Sequence, residues 1–270
     1  MNIRYRGWGH EQPQKGQMMA IATPSAESSR TLQARIDLAA AHRWAARDGL
    51  NEGTWNHFSL VHPEDPTRLL ITPSYTHWSH MTASSLVDVG AEYDRAGGNH
   101  MDWVAYKIHY PVHQARPDAA CVLHVHSPYV TALSLLEDCR LLMASQTALM
   151  FHGRIAYNDE LDAFEEGLDQ GRVLAEALGE HCTALIMRHH GAVVVGRTVG
   201  DAYTDMYNLE RCCQTQLLAM ATGGPLRKIP QQRIEASSWV GQGPDAGDEG
   251  RLHFEALKRV LDIEEPGYAA

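Results

Sequence analysis

Positive charge, long apolar runs and cysteine are all scarce in this 270-residue chain. Lys and Arg total 23 against 33 Asp and Glu, a formal net charge of −10. That balance leaves no basic footprint for a nucleic acid and no Lys/Arg-rich segment for a membrane surface. No apolar run approaches the ~20 residues that a membrane-spanning helix requires. The opening residues, MNIRYRGWGHEQPQKG, lack the apolar core of a secretory signal. The cysteines are Cys121, Cys139, Cys182, Cys212 and Cys213, an odd number with none of the spacing of a small disulfide framework. They fit reduced thiols, and the chain is expected to be cytoplasmic. No internal repeat is visible.

Histidine, by contrast, is abundant, with 16 residues, so only spacing and context can select the functional ones. The informative stretch is Cys121-Val-Leu-His124-Val-His126-Ser127-Pro128, followed later by His189-His190-Gly191. An apolar run ending in His-x-His places two imidazoles on one face of a strand, because strand side chains alternate with period 2. Each imidazole needs a partner if buried, and a shared metal ion satisfies both. His190 lies in a turn between two apolar runs, where Gly191 permits an unusual backbone conformation, and supplies a third ligand. His189 points elsewhere. Three histidines leave coordination positions open, as a catalytic metal requires.

Periodicity places helices at 32–47, 103–115 (with Pro111 as a kink), 129–136, 162–178 and 199–221, and a short one near Thr82. Strands are expected at 58–62, 68–72, 119–126, 183–187 and 192–195. This alternation within one core indicates an α/β sandwich. The expected organisation is a polar N-terminal arm at 1–30, a catalytic domain at 31–224 and a C-terminal extension at 225–270. The extension carries a Gly/Asp-rich linker at 241–250 and one short helix.

Several segments together resemble the class II aldolase/adducin family. They are Gly53-Thr54-Trp55-Asn56-His57-Phe58-Ser59, Leu70-Ile71-Thr72-Pro73-Ser74, Ala115-Arg116-Pro117-Asp118, His124-Val125-His126 and His190-Gly191. The resemblance spans residues 32 to 221. It implies a three-layer α/β/α fold around a largely antiparallel sheet, with His124, His126 and His190 as metal ligands. It also implies a homotetramer with sites near subunit interfaces. Sugar-phosphate members carry a Ser-Ser-Glu motif whose Glu stands four residues before a helical His. Aligned on His109, that Glu position is Ala105, and the serines become Trp103 and Val104. Alanine cannot move a proton, and Asn56-His57 replaces the family's Gly-Asn pair.

These departures resemble the branch that holds adducin-like proteins and decarboxylases of hydroxylated aromatic acids. The expected activity is therefore metal-dependent decarboxylation of a hydroxylated aromatic or pyridine dicarboxylate, such as 3-hydroxy-2-methylpyridine-4,5-dicarboxylate. Its adjacent hydroxyl and carboxylate chelate the open face of the ion, a Lewis acid. Mn2+ is the first choice of metal, with Zn2+ and Fe2+ as alternatives. His57 is the candidate proton donor, competing with metal-bound water, and otherwise reads as a hydrogen-bonded loop residue. Asn56, Ser59, Thr72 and Ser74 either bind a second carboxylate or stabilise turns. Arg188 either pairs with a substrate carboxylate or forms a surface ion pair. His109 and His113, four apart on a helix, offer a second metal site as a minor alternative. Other readings are a class II aldolase or a non-haem iron oxygenase on the same three histidines, or an adducin-like domain without catalysis.

Overall fold

The apolar runs pair into one seven-stranded sheet in a computed structural model that describes residues 27–90, 103–159, 169–237 and 246–270. The strands are β1 (His57–His62), β2 (Asp65–Ile71), β3 (Val87–Val89), β4 (Cys121–Val125), β5 (Ile155–Asn158), β6 (Ala184–Met187) and β7 (Gly191–Gly196). Their order is β3-β2-β1-β4-β7-β6-β5, and all neighbours are antiparallel except β5 and β6. The helices are α1 (Ser29–Arg47), α2 (Trp103–Ala115), α3 (Pro128–Ser134), α4 (Asp169–Leu178), α5 (Val199–Ala221), α6 (Gln231–Ala236) and α7 (Ala246–Glu264).

Alternation along each strand sends side chains to two different cores. Cys121, Leu123 and Val125 of β4 join Leu38 of α1, Val130 of α3 and Met206 of α5. Val122, one position out of phase, packs instead with Ile108 and Val112 of α2 and Leu174 and Leu178 of α4. Two helical layers therefore cover a largely antiparallel sheet, the three-layer α/β/α sandwich. On the second face α2 and α4 approach closely, because a Cβ on Gly171 would stand 2.3 Å from the Lys107 carbonyl oxygen. Among the described residues, no helix is long and apolar enough to cross a membrane.

Some boundaries differ from those expected. The helix near Thr82 is a single 3-10 turn, Ala83–Ser85. Thr82 and Ser85 bond each other's backbone, and such local bonding closes a turn rather than extending it. The strand after it, β3, pairs with β2 and was not evident from three residues. Pro111 lies inside α2 without ending it. The start of the helix expected at 162, most of the N-terminal arm and part of the linker at 241–250 lie outside the described residues.

The last helix, α7, runs for 19 residues and is not short. Its glycines and acidic residues read as a linker, yet Phe254 and Leu261 are buried against the α1/α5 layer. Burying each such side chain is worth about 1.5–3 kcal/mol. Trp44 Nε1 donates to the Leu257 carbonyl at 3.0 Å, and Lys258 Nζ meets Asp37 at 2.7 Å.

Candidate metal centre

Strand pairing places the first histidines. In the β1–β4 register His57 lies opposite His124, on the face that carries α2. Their ring centroids are 4.9 Å apart. His126 follows the end of β4, and His190 precedes β7, so both rings converge on His124. Glycine is needed at 191 because a Cβ there would stand 2.2 Å from the Val125 carbonyl oxygen. The positive φ expected of Gly191 belongs instead to His189, at 61°. That residue is exposed.

The hydrogen bonds of the three rings define what they can bind. His124 donates its Nδ1–H to the Ala192 carbonyl at 3.1 Å, and His126 donates its Nδ1–H to Glu52 Oε2 at 2.6 Å. In a neutral ring the remaining Nε2 then carries only a lone pair. Yet the Nε2 atoms of His124 and His126 are 3.0 Å apart, and His190 Nε2 is 2.8 Å from His126 Nε2. The lone pairs of His124 and His126 repel at this distance unless a cation lies between them. Nitrogen ligands at ~2.0–2.1 Å from one ion stand about 3 Å apart, so the donor set fits a metal. Burial, then the neighbouring His126, pushes His190 down to about 4, and burial holds His124 well below its ordinary value. Both rings are neutral near pH 7, the form a metal requires.

Beside the cluster runs a chain of buried polar groups. His57 Nδ1 is 2.7 Å from His109 Nε2, and His109 Nδ1 is 2.6 Å from Ser59 Oγ. Ser59 Oγ is 2.7 Å from His113 Nε2, whose Nδ1 meets the Ala119 carbonyl at 2.8 Å. His109 and His113 are thus bridged by a serine hydroxyl and occupied by these bonds, which removes the second metal site. His57 Nε2 makes no hydrogen bond to a described residue. Burial first, then the charges of His126 and His190, pushes His57 down to about 3, so it rests neutral.

The other candidates separate into two groups. Asn56 is buried, takes the Glu52 backbone N–H on Oδ1 at 2.6 Å, and leaves Nδ2 without an acceptor among the described residues. Ser74 is half-buried beside exposed Tyr75. The hydroxyls of Ser59 and Thr72, however, are engaged inside the fold. Thr72 Oγ1 accepts Phe58 N–H at 2.7 Å and meets His42 Nε2 at 2.7 Å. Arg188 lies 3.5 Å from both Glu137 and Asp159, the ion-pair alternative. Ala105 is fully buried against Leu69 and Ile71, with no acid or base in its place.

Two carboxylates escaped the sequence reading. Glu52 buttresses His126, although 74 residues separate them. Glu210 of α5 takes Ser127 Oγ–H at 2.8 Å and the N–H groups of Tyr129 and Val130 at 2.9 Å each. It caps α3 and so fixes the turn that follows His126. A glutamate directly after Asn51 in a glycine-bounded loop was the only available hint of Glu52, and Glu210 gave none within its helix.

Residues 36–217, more than half of the chain, match the family described as Class II Aldolase and Adducin N-terminal domain. The chain belongs to the class II aldolase/adducin family. Among solved structures, an aldolase II superfamily protein from Pseudomonas syringae superposes with a TM-score of 0.82 at 29% identity, covering 91% of this chain and 98% of that one. L-fuculose 1-phosphate aldolase from Glaciozyma antarctica gives 0.76 at 25% identity, covering 92% and 96%. Alpha-adducin of Rattus norvegicus is 33% identical over 244 residues. That match takes in 84% of this class II aldolase/adducin chain but only 33% of the adducin.

Proposed function

We propose that this chain is a divalent-metal-dependent decarboxylase of a hydroxylated aromatic or pyridine dicarboxylate, with 3-hydroxy-2-methylpyridine-4,5-dicarboxylate as the first candidate substrate. The observation that carries the reading is a neutral histidine, His57, with one bare nitrogen beside three converging imidazoles, while Ala105 stands where aldolase chemistry needs an acid. His124, His126 and His190 would hold the ion, with Mn2+ the first choice. The ion would supply Lewis acidity to a chelating hydroxy-acid.

The chain's own residues handle the proton and the second carboxylate. His57 Nε2 accepts the proton of the ring hydroxyl as substrate binds. His57 returns that proton to the ring carbon that bears the carboxylate, so the oxygen becomes a keto group. The bond between that carbon and the carboxylate then breaks, its electron pair enters the ring towards the keto oxygen, and CO2 departs. The product hydroxyl regains a proton from water on release. His57 thus acts as base before it acts as acid, which refines its expected role as donor. Asn56 Nδ2, buried and without an acceptor among the described residues, is suited to the second carboxylate. The homotetramer belongs to the same proposal, and exposed Trp55 and Tyr75 offer aromatic surface for such contacts.

The test is CO2 release from hydroxylated pyridine and benzene dicarboxylates by metal-reconstituted protein. Activity should vanish on chelation and return with Mn2+. Full activity in the chelated protein would sink the reading. Glu52 favours a second reading, class II aldolase, because it places a carboxylate 2.6 Å from a ligand ring. Retro-aldol cleavage of a sugar phosphate, with no CO2 release from any acid in the panel, would establish that instead.

A further inference from the structure

We propose that Ser59, His109 and His113 are positioning residues that lock His57 in its Nδ1–H tautomer and keep a lone pair on its Nε2. The direction of the bonds is set from one fixed end. The Ala119 carbonyl can only accept, so His113 Nδ1 carries hydrogen and its Nε2, in a neutral ring, is an acceptor. Ser59 has a single hydroxyl hydrogen, which must then point at His113 Nε2. Its oxygen accepts from His109 Nδ1–H, leaving His109 Nε2 bare. His57 Nδ1 therefore donates to His109, and the lone pair of His57 is left on Nε2.

All four side chains are buried, so water offers no competing partner that would reverse the direction. The chain closes on a backbone carbonyl, which cannot pass a proton onward. It orients His57 and does not conduct protons away from the site. The one hydroxyl on β1 and two histidines one turn apart on α2 thereby decide what a ring more than 50 residues earlier than His109 presents beside the metal ligands.

This inference rests on the reading of His57 as the proton-handling group, but its primary readout does not need turnover. Nitrogen-15 NMR of histidine-labelled, Zn2+-loaded protein reports the tautomer of each ring, with His57→Gln used to assign the His57 signals. The expected result is hydrogen on Nδ1 and none on Nε2 of His57. Ser59→Ala should mix the two His57 tautomers while metal stoichiometry stays at the wild-type value, and Ser59→Thr, which retains the hydroxyl, should restore one tautomer. On a decarboxylated substrate, Ser59→Ala should lower kcat by about 10-fold or more, a share of the ~10²–10⁴-fold typical of general acid–base catalysis. KM should change by less than about twofold. Hydrogen on Nε2 of His57 in the wild type, or a Ser59→Ala variant with unchanged tautomer, would overturn the lock. A wild-type spectrum as expected in a protein that decarboxylates nothing would leave the lock standing and remove the proposed activity. Should Ser59→Ala fail to fold, the wild-type spectrum alone decides.

Discussion

Two buried histidines, His42 and His57, lie on opposite faces of the same sheet and differ in one respect that matters. His42 of α1 is bonded at both nitrogens, to the Leu38 carbonyl at 2.7 Å and to Thr72 Oγ1 at 2.7 Å. It packs against Phe58 and Trp78. His57 is also buried, and burial pushes both down to about 3, but only one of its nitrogens is engaged among the described residues. The shift in pKa therefore does not separate structure from function here. The unspent lone pair does, and it lies beside the metal-ligand rings.

The largest effect that tests this contrast should come from the ligand cluster. His126→Ala is expected to abolish metal binding and turnover, measured as metal per chain and CO2 release, because two donors cannot hold the ion as three do. His57→Gln should keep the metal and lose about 10²–10⁴-fold in kcat. His42→Gln, its counterpart across the sheet, should leave kcat near wild type and lower stability by ~1–3 kcal/mol in urea unfolding. A collapse of kcat in His42→Gln with normal stability would erase the distinction between the two faces. Next in size, Glu52→Gln should weaken metal affinity by about 10–100-fold in a calorimetric titration, as loss of a carboxylate behind a ligand histidine typically does.

The smallest effect concerns pH. His42 and His113 have folded values of about 3 and 4, below the ordinary 6.5, chiefly through burial. Between those values the unfolded chain binds protons that the folded chain refuses. Stability is thus fully present above about pH 6.5 and declines as pH falls towards 4, by up to about 1.4 kcal/mol per pH unit for each group. Urea unfolding of metal-free protein at pH 7.5 and 5 should show the loss, and His42→Gln should reduce its slope. An unchanged slope would mean that His42 is protonated in the fold.

Much of the architecture was legible because its signals are local. The strand β4, the helix α5 with Gly223 at its end and the His-x-His pair all follow from periodicity and turn chemistry within a few residues. Helix α7 was underestimated for the complementary reason. Its glycines and acidic residues weaken local propensity, and burial of Phe254 and Leu261 against α1 and α5 supplies what propensity does not. In the sequence the hydroxyls of Ser59 and Thr72 suit either a substrate carboxylate or a turn, because their distant partners leave no local trace. Their engagement with His109, His113 and His42 involves partners 30 to 54 residues away.

By itself the sequence determined that His124 lies in a buried apolar strand with His126 two residues further on, and that His190 enters from a turn; His126 stands just past the strand's end. Tertiary structure decided how those rings are held and what stands beside them. Glu52 behind His126, Glu210 beneath the α3 turn and the carbonyl-to-imidazole chain ending at His57 all depend on hydrogen bonds between distant segments. Such bonds have a direction set by every partner in turn, and no spacing along the chain records it.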